Sequence, residues 1–496
     1  MNRLALLLAL VAMSALAHPG GKDEAEVPLV AGPVHASAYA EGLYMLHNFE
    51  YDRAAEAFRK AQAADPGNVM AYWGEAMTYN HPLWAFQDTE KARAVLTRLG
   101  PTREARLAKA RTPREREWLG AVEALYGAGD KVSRDRAYHA HMMAMHRADP
   151  GDIEARSFAA LATLGLANQG RDIPTYMRAA ALLEEGLHAN PDHPGLLHYM
   201  IHSYDDPAHA PLGLRAARRY ALVAPDAGHA QHMVSHIYLA LGDWAAVEAT
   251  NVQAVGVVNA QRAARGRSAT TCGHYNEWLI YALDQQGKDS RSRLEACRVT
   301  AMSELSRSTD KSVLGPGDSL FNNWATIAAR HGVDTGNWPD QAAIPAGEGY
   351  LLGRFDLTYA ALIAARGDAA RAAAAFERLK TYRDRIVAAL PGERPDDHEI
   401  APWYDLAIQQ GEAIVALASG DHGRGIELLR KAAQTEAALP QAFGPPILAK
   451  PSHELLGDAL AAQGLKREAG EAYRQALSRM PNRRRAQQGL DAVEPR

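Results

Sequence analysis

The chain has 496 residues, 47% hydrophobic and 23% charged, with a formal net charge of −4. Such a composition can bury a sizeable core, and the length suggests several domains or a repeat array. Acids and bases are interspersed, which excludes the basic footprint of a nucleic-acid binder. No stretch reaches the roughly 20 apolar residues of a membrane span.

Residues 1–17 read as a secretory signal. Arg3 supplies the positive start, Leu4 to Ala12 a short apolar run, and Ala15-Leu16-Ala17 the small-x-small pattern of a cleavage site after Ala17. The expected product is soluble and periplasmic or secreted. Residues 18–34 are Gly-rich and acidic and read as a flexible segment. Cleavage would expose His18, and an N-terminal His can chelate copper through its amine and ring. The Pro-Gly-Gly that follows favours a tail instead.

Helical repeats follow. Gly42, Ala54, Phe58, Ala61 and Pro66 place a small residue, an Ala-x3-Phe-x2-Ala run and a terminal Pro at spacings that resemble the tetratricopeptide consensus. Small residues let paired helices approach, the aromatic fills the gap to the next repeat, and Pro stops the second helix. The frame recurs at Tyr138, Met142, Met145 and Pro150, at Ala179, Leu183, Gly186 and Pro191, and at Gly457, Ala469, Tyr473, Ala476 and Pro481. No run alternates as a strand would. The expected fold is therefore all-α, a tetratricopeptide-type α-solenoid of stacked antiparallel helix pairs. An N-terminal array should cover 35–303, with an irregular connection at 304–349, a second array at 350–480 and a tail at 481–496. The repeat motif specifies a fold and almost nothing about activity.

The informative segment is a tandem pair. Residues 191–204 read PDHPGLLHYMIHSY and residues 225–238 read PDAGHAQHMVSHIY. They are offset by 34 residues, the tetratricopeptide period, and each carries His-x3-His. On a helix, two such rings lie on one face, one turn apart. Equivalent positions in consecutive repeats sit side by side on helices roughly 8–10 Å apart. His198, His202, His232 and His236 thus form a two-by-two grid. The resemblance puts them at the fifth and ninth positions of a first helix, and His229 at the second, all lining the concave groove. His274 and Glu277 fall on the same face of the next repeat, and Asp205 at the twelfth position of its own. Tyr204 and Tyr238 occupy the consensus aromatic position and read as repeat core.

Neutral imidazoles are the commonest ligands of Cu, Zn and Fe, and carboxylates complete or tune such sites. His198, His202, His229, His232, His236, His274 and Glu277 are therefore the candidate metal ligands, numerous enough for two ions. The other reading of the same residues is a polar groove that binds a protein, peptide or small ligand. The segment is also similar to bacterial tetratricopeptide proteins with HYxIH and HxxHxxSHIY elements, here His198–His202 and His229–Tyr238. That resemblance implies no activity. A binding or scaffold protein, a metalloenzyme and a metal-free interaction module all remain open.

Other signals are weaker. His47 and His81 are also 34 residues apart and read as capping or core. His139, His141 and His146 read as outer surface. Gly317-Asp318-Ser319-Leu320 spells an esterase motif, but in a helical context and without a later Asp-x2-His. There is no HExxH, P-loop or GxGxxG. Cys272 and Cys297 would sit on successive helices, where a bridge and two buried thiols are both possible.

Overall fold

The computed structural model describes residues 36–167, 170–310, 312–340, 344–393 and 400–494. The expected signal peptide, the segment 18–34 and His18 lie outside them. Among these described residues, twenty-three α-helices follow one another in antiparallel pairs, each packed chiefly on its neighbours in sequence. The fold is an all-α, tetratricopeptide-type solenoid. Among the described residues the only β-strands form a two-residue ladder, Asn80–His81 with Phe86–Gln87. None of the described helices is long and apolar enough to cross a membrane.

The consensus residues do what their sizes allow. Phe58 is fully buried between Gly42 and Gly74, where a Cβ would stand 2.8 and 2.3 Å from its ring. Tyr473 sits the same way between Gly457 and Gly489 near the other end of the chain. In both cases the glycines lie sixteen residues before and after the aromatic. Asp and Asn side chains cap many of the helices, as Asn68, Asp152 and Asp243 do.

One core runs from Tyr39 to Ala240 and another from Leu314 to Ala486. Residues 304–349, expected to be irregular, contain the helix Leu320–Thr335, whose Phe321, Trp324 and Ile327 are buried. Ser319 of the esterase-like motif caps that helix, its Oγ accepting from Asn322 N at 3.2 Å. Cys272 and Cys297 form a disulfide with Cα atoms 4.7 Å apart. His146 is buried rather than on the outer surface.

The first helical hairpin, Ala36–His47 and Tyr51–Ala64, does more than start the stack. It folds back onto the helices Pro194–Tyr204, Ala210–Val223 and Gly228–Leu241. Tyr44 Oη donates to Asp226 Oδ1 at 2.9 Å and Tyr220 Oη to Asn48 Oδ1 at 2.6 Å. Glu50 Oε1 accepts the His229 backbone N–H at 3.1 Å, placing a carboxylate at the start of the Gly228–Leu241 helix. These bonds join residues more than 170 apart, and they close the solenoid over the histidines.

Candidate metal centre

The helix Pro194–Tyr204 is buried along its whole length, and it carries His198 and His202. The helix Gly228–Leu241 beside it carries His229, His232 and His236, and His274 opens the helix His274–Gln286. The structure gathers these six rings into two sets of three. In each set, one ring nitrogen per residue lies within 4.8 Å of the others: His198, His202 and His229 in the first, His232, His236 and His274 in the second. The sets abut, with ring centroids 5.7 Å apart for His202 and His236 and 6.3 Å for His229 and His232.

The grid does not line an open groove. His198 and His232 have no exposed surface, and His202 and His236 are buried. Phe49, from the turn after the first helix, packs 4.3 Å from the His198 ring and 5.6 Å from that of His229. Its φ of 53° is left-handed, an uncommon setting for a bulky side chain that tends to mark functional positions. Trp84, on the short Asn80–Gln87 hairpin, lies 6.0 Å from His229. Trp278 covers the second set, 4.4 Å from His236 and 4.7 Å from His232. His274 alone is open, with a side chain 55% exposed.

Hydrogen bonding orients the rings. His198 Nδ1 donates to the His47 carbonyl at 2.6 Å. His236 Nδ1 donates to Asp205 Oδ2 at 3.0 Å, and Asp205 is held from its other oxygen by Arg171. Asn251 spends its amide N–H on the Val247 carbonyl, so its Oδ1 accepts from His232 Nδ1 at 2.8 Å. In all three rings the proton sits on Nδ1 and Nε2 presents a lone pair. Metal-ligating histidines are held in this way by neighbouring acceptors.

Nε2 of His198, His202 and His229 are each buried without a hydrogen-bond partner. Nε2 of His232 and His236 face one another at 3.2 Å. Tetrahedral zinc with bonds of about 2.0–2.1 Å spaces its ligand atoms ~3.3 Å apart. Burial pushes the His198 pKa down to about 3 and those of His202, His229, His232 and His236 well below the ordinary 6.5. The rings are thus neutral, the form that binds metal.

Glu277 belongs to neither set. It is ion-paired with Arg330, and its nearer oxygen is 3.9 Å from His274 Nδ1. Burial would raise its pKa, but Arg330 and His274 outweigh that and hold it at about 2. Asp205 does fall within 4.8 Å of ligand atoms of His202 and His236, one from each set, but its oxygens serve His236 Nδ1 and Arg171. Their carboxylates are turned to cations and donors already on the protein, which leaves both sets purely imidazole.

A third cluster adjoins the first set. His47 Nε2 and His193 Nε2 both donate to Glu154, at 2.9 and 3.1 Å. His47 Nδ1 accepts from Tyr199 Oη at 3.0 Å, and His193 Nδ1 from the Leu196 N–H at 3.2 Å. Gly195 makes room for it, since a Cβ there would stand 2.3 Å from His47 Nδ1. Every ring nitrogen is satisfied, so this cluster is core. His81 stacks on Tyr51 at 3.9 Å and bonds the Thr78 carbonyl. Phe49, Arg171, Asn251 and Glu154 were not singled out from sequence. A polar Asn251 on the buried side of its helix was the one available signal.

No family model and no curated protein matches the sequence. Among solved structures the chain is similar to the crystal structure of the P58(IPK) TPR domain. The identity is 12%, the match covers 93% of this chain and 97% of that one, and the TM-score is 0.23. A superposition of that quality assigns neither ligand nor partner, and the solenoid is established by its own helix pairs.

Proposed function

We propose that the chain is an exported, periplasmic binding or scaffold protein that holds a transition metal, Cu, Zn or Fe, in its histidine sets. The carrying observation is the trio of buried, unpartnered Nε2 atoms on His198, His202 and His229. A buried polar atom without a partner costs about 1–3 kcal/mol. Three such atoms, on rings that each bring a nitrogen within 4.8 Å of the others, are accounted for by a cation that all three rings bind. Export rests on the signal-like residues 1–17. Helical solenoids commonly present an extended surface to a protein or peptide, and the outer repeats of this chain offer one while the metal sits inside.

A second reading, a metalloenzyme, is favoured by the ligand number. Three protein ligands leave a coordination position open, as catalytic sites do, and exposed His274 gives the second set a route to solvent.

Elemental analysis of the purified mature chain, with thermal scans in the presence of Cu, Zn or Fe, tests the metal reading. At least one equivalent of bound metal and a raised melting temperature are expected. A chain that purifies metal-free from a metal-replete periplasm and ignores added ions in the scan would sink it.

A further inference from the structure

We infer that the two histidine sets hold two copper ions, one per set, close enough to share a single small bridging ligand. This inference rests on the metal-binding reading and adds the count, the element and their coupling.

The count follows from the geometry. Six rings offer two separate three-nitrogen sites, not one six-coordinate site. Each set closes on itself within 4.8 Å. The rings that face across from one set to the other, His202 to His236 and His229 to His232, stand 5.7 and 6.3 Å apart. Paired metal ions that act on one ligand stand about 3.5–4 Å apart, a spacing that neighbouring sets at this distance can provide. One carboxylate stands at the boundary between the sets, since His202, Asp205 and His236 also bring ligand atoms within 4.8 Å of one another. The Asp205 oxygens, however, are committed to Arg171 and to the outer nitrogen of His236. A bridge would have to come from solution.

The element follows from the donors. Both sets are all-imidazole and carry no net charge, because Glu277 and Asp205 are neutralised by Arg330 and Arg171. There is no thiolate, since both cysteines are in the disulfide. Imidazole donors suit copper, and at a given nitrogen site copper(II) binds more tightly than the other divalent first-row ions. Two divalent ions on neutral ligands in a buried site also call for an anion between them. Hydroxide is the smallest available, and a hydroxide bridge couples the two unpaired electrons.

The sets differ in access. Phe49, Trp84 and the first hairpin cover the His198 set, while His274 leaves the second set open. An ion therefore enters through the second set.

The test is a copper(II) titration of the full chain with its disulfide intact, followed by dialysis, elemental analysis and electron paramagnetic resonance. Two equivalents are expected, with an integrated spin far below two that acid denaturation restores. His202→Ala and His236→Ala should each bind one equivalent and show one full spin, with helical circular dichroism unchanged. If His202→Ala fails to fold, His229→Ala at the half-buried position replaces it. One equivalent in the parent chain, abolished by either variant, overturns the pair while metal binding stands. Two equivalents with two independent spins overturn the shared ligand. No bound copper overturns this inference, and no bound zinc or iron either would remove the metal reading beneath it.

Discussion

Two trios of buried side chains lie side by side in the first core. His47, Glu154 and His193 form one, and His198, His202 and His229 the other. A single bond joins them, from His198 Nδ1 to the His47 carbonyl. By residue type and burial both could hold an ion. They differ in their hydrogen bonds. In the first trio each imidazole has a donor role toward Glu154 and an acceptor role toward Tyr199 or Leu196. In the second, three Nε2 atoms have no partner. Buried polar groups in folded proteins are almost always satisfied, so the unsatisfied trio is the one on which the proposed metal site rests. Counting ligand-type residues does not separate a core network from a site; accounting for each lone pair does.

The largest effect should come from the satisfied trio. Glu154→Ala strands two imidazole donors in the core, and breaking a buried pair of this kind costs about 3–5 kcal/mol. Chemical denaturation of the apo chain should show that loss. A change under 1 kcal/mol would mean the network is not structural and would erase the contrast. His202→Leu should do the reverse. It removes an unsatisfied nitrogen, so apo stability should hold to within about 1.5 kcal/mol. The stabilisation by metal at its set, about 2.7 kcal/mol at a hundredfold excess over Kd, should vanish from the thermal scan. Asn251→Leu takes the acceptor from His232 Nδ1 and frees its tautomer. Loss of such an outer partner typically weakens metal binding by about 10–100-fold. Competition with a chelator should show the loss in the second set and not in the first.

The smallest effect is a pH dependence. Burial would raise the pKa of Glu154, but the two imidazoles bonded to it hold it below the ordinary 4.5. A depressed carboxyl contributes stability above its unfolded pKa and loses it as pH falls through the folded value. The stability gap between the parent chain and Glu154→Gln should therefore shrink as pH drops below about 4.5, because protonation makes the acid resemble the amide. A gap that stays constant down to about pH 2 would show that the carboxylate charge is not what the network uses.

Much of this was legible in the sequence because it is local. The 34-residue offset and the His-x3-His spacing are properties of single helices and their neighbours, so the rings could be placed side by side. The small residue and aromatic of each repeat could be read for the same reason. What could not be read is everything that arrives from afar. Phe49, Glu154 and the His47 carbonyl come from a hairpin and helices up to about 180 residues away, and no periodicity announces that the solenoid closes there. The open groove expected from the repeat pattern is filled for that reason. Glu277 was expected among the ligands, but it pairs with Arg330, which sits on a helix within a segment whose Gly-Pro-Gly and Trp residues suggested a loop.

The docked hairpin also sets an order of events. Neighbouring repeats zip together through local contacts, whereas a contact between His47 and His198 must first bear the entropy of closing a long loop. The histidines of the Pro194–Tyr204 helix can be in place while Phe49 is still in solvent. An ion that arrives then meets an open, water-filled row of rings. One that arrives after docking finds that row covered and only exposed His274 of the second set open to it. The moment at which the Ala36–His47 helix docks decides by which route the histidines of the first set can be reached.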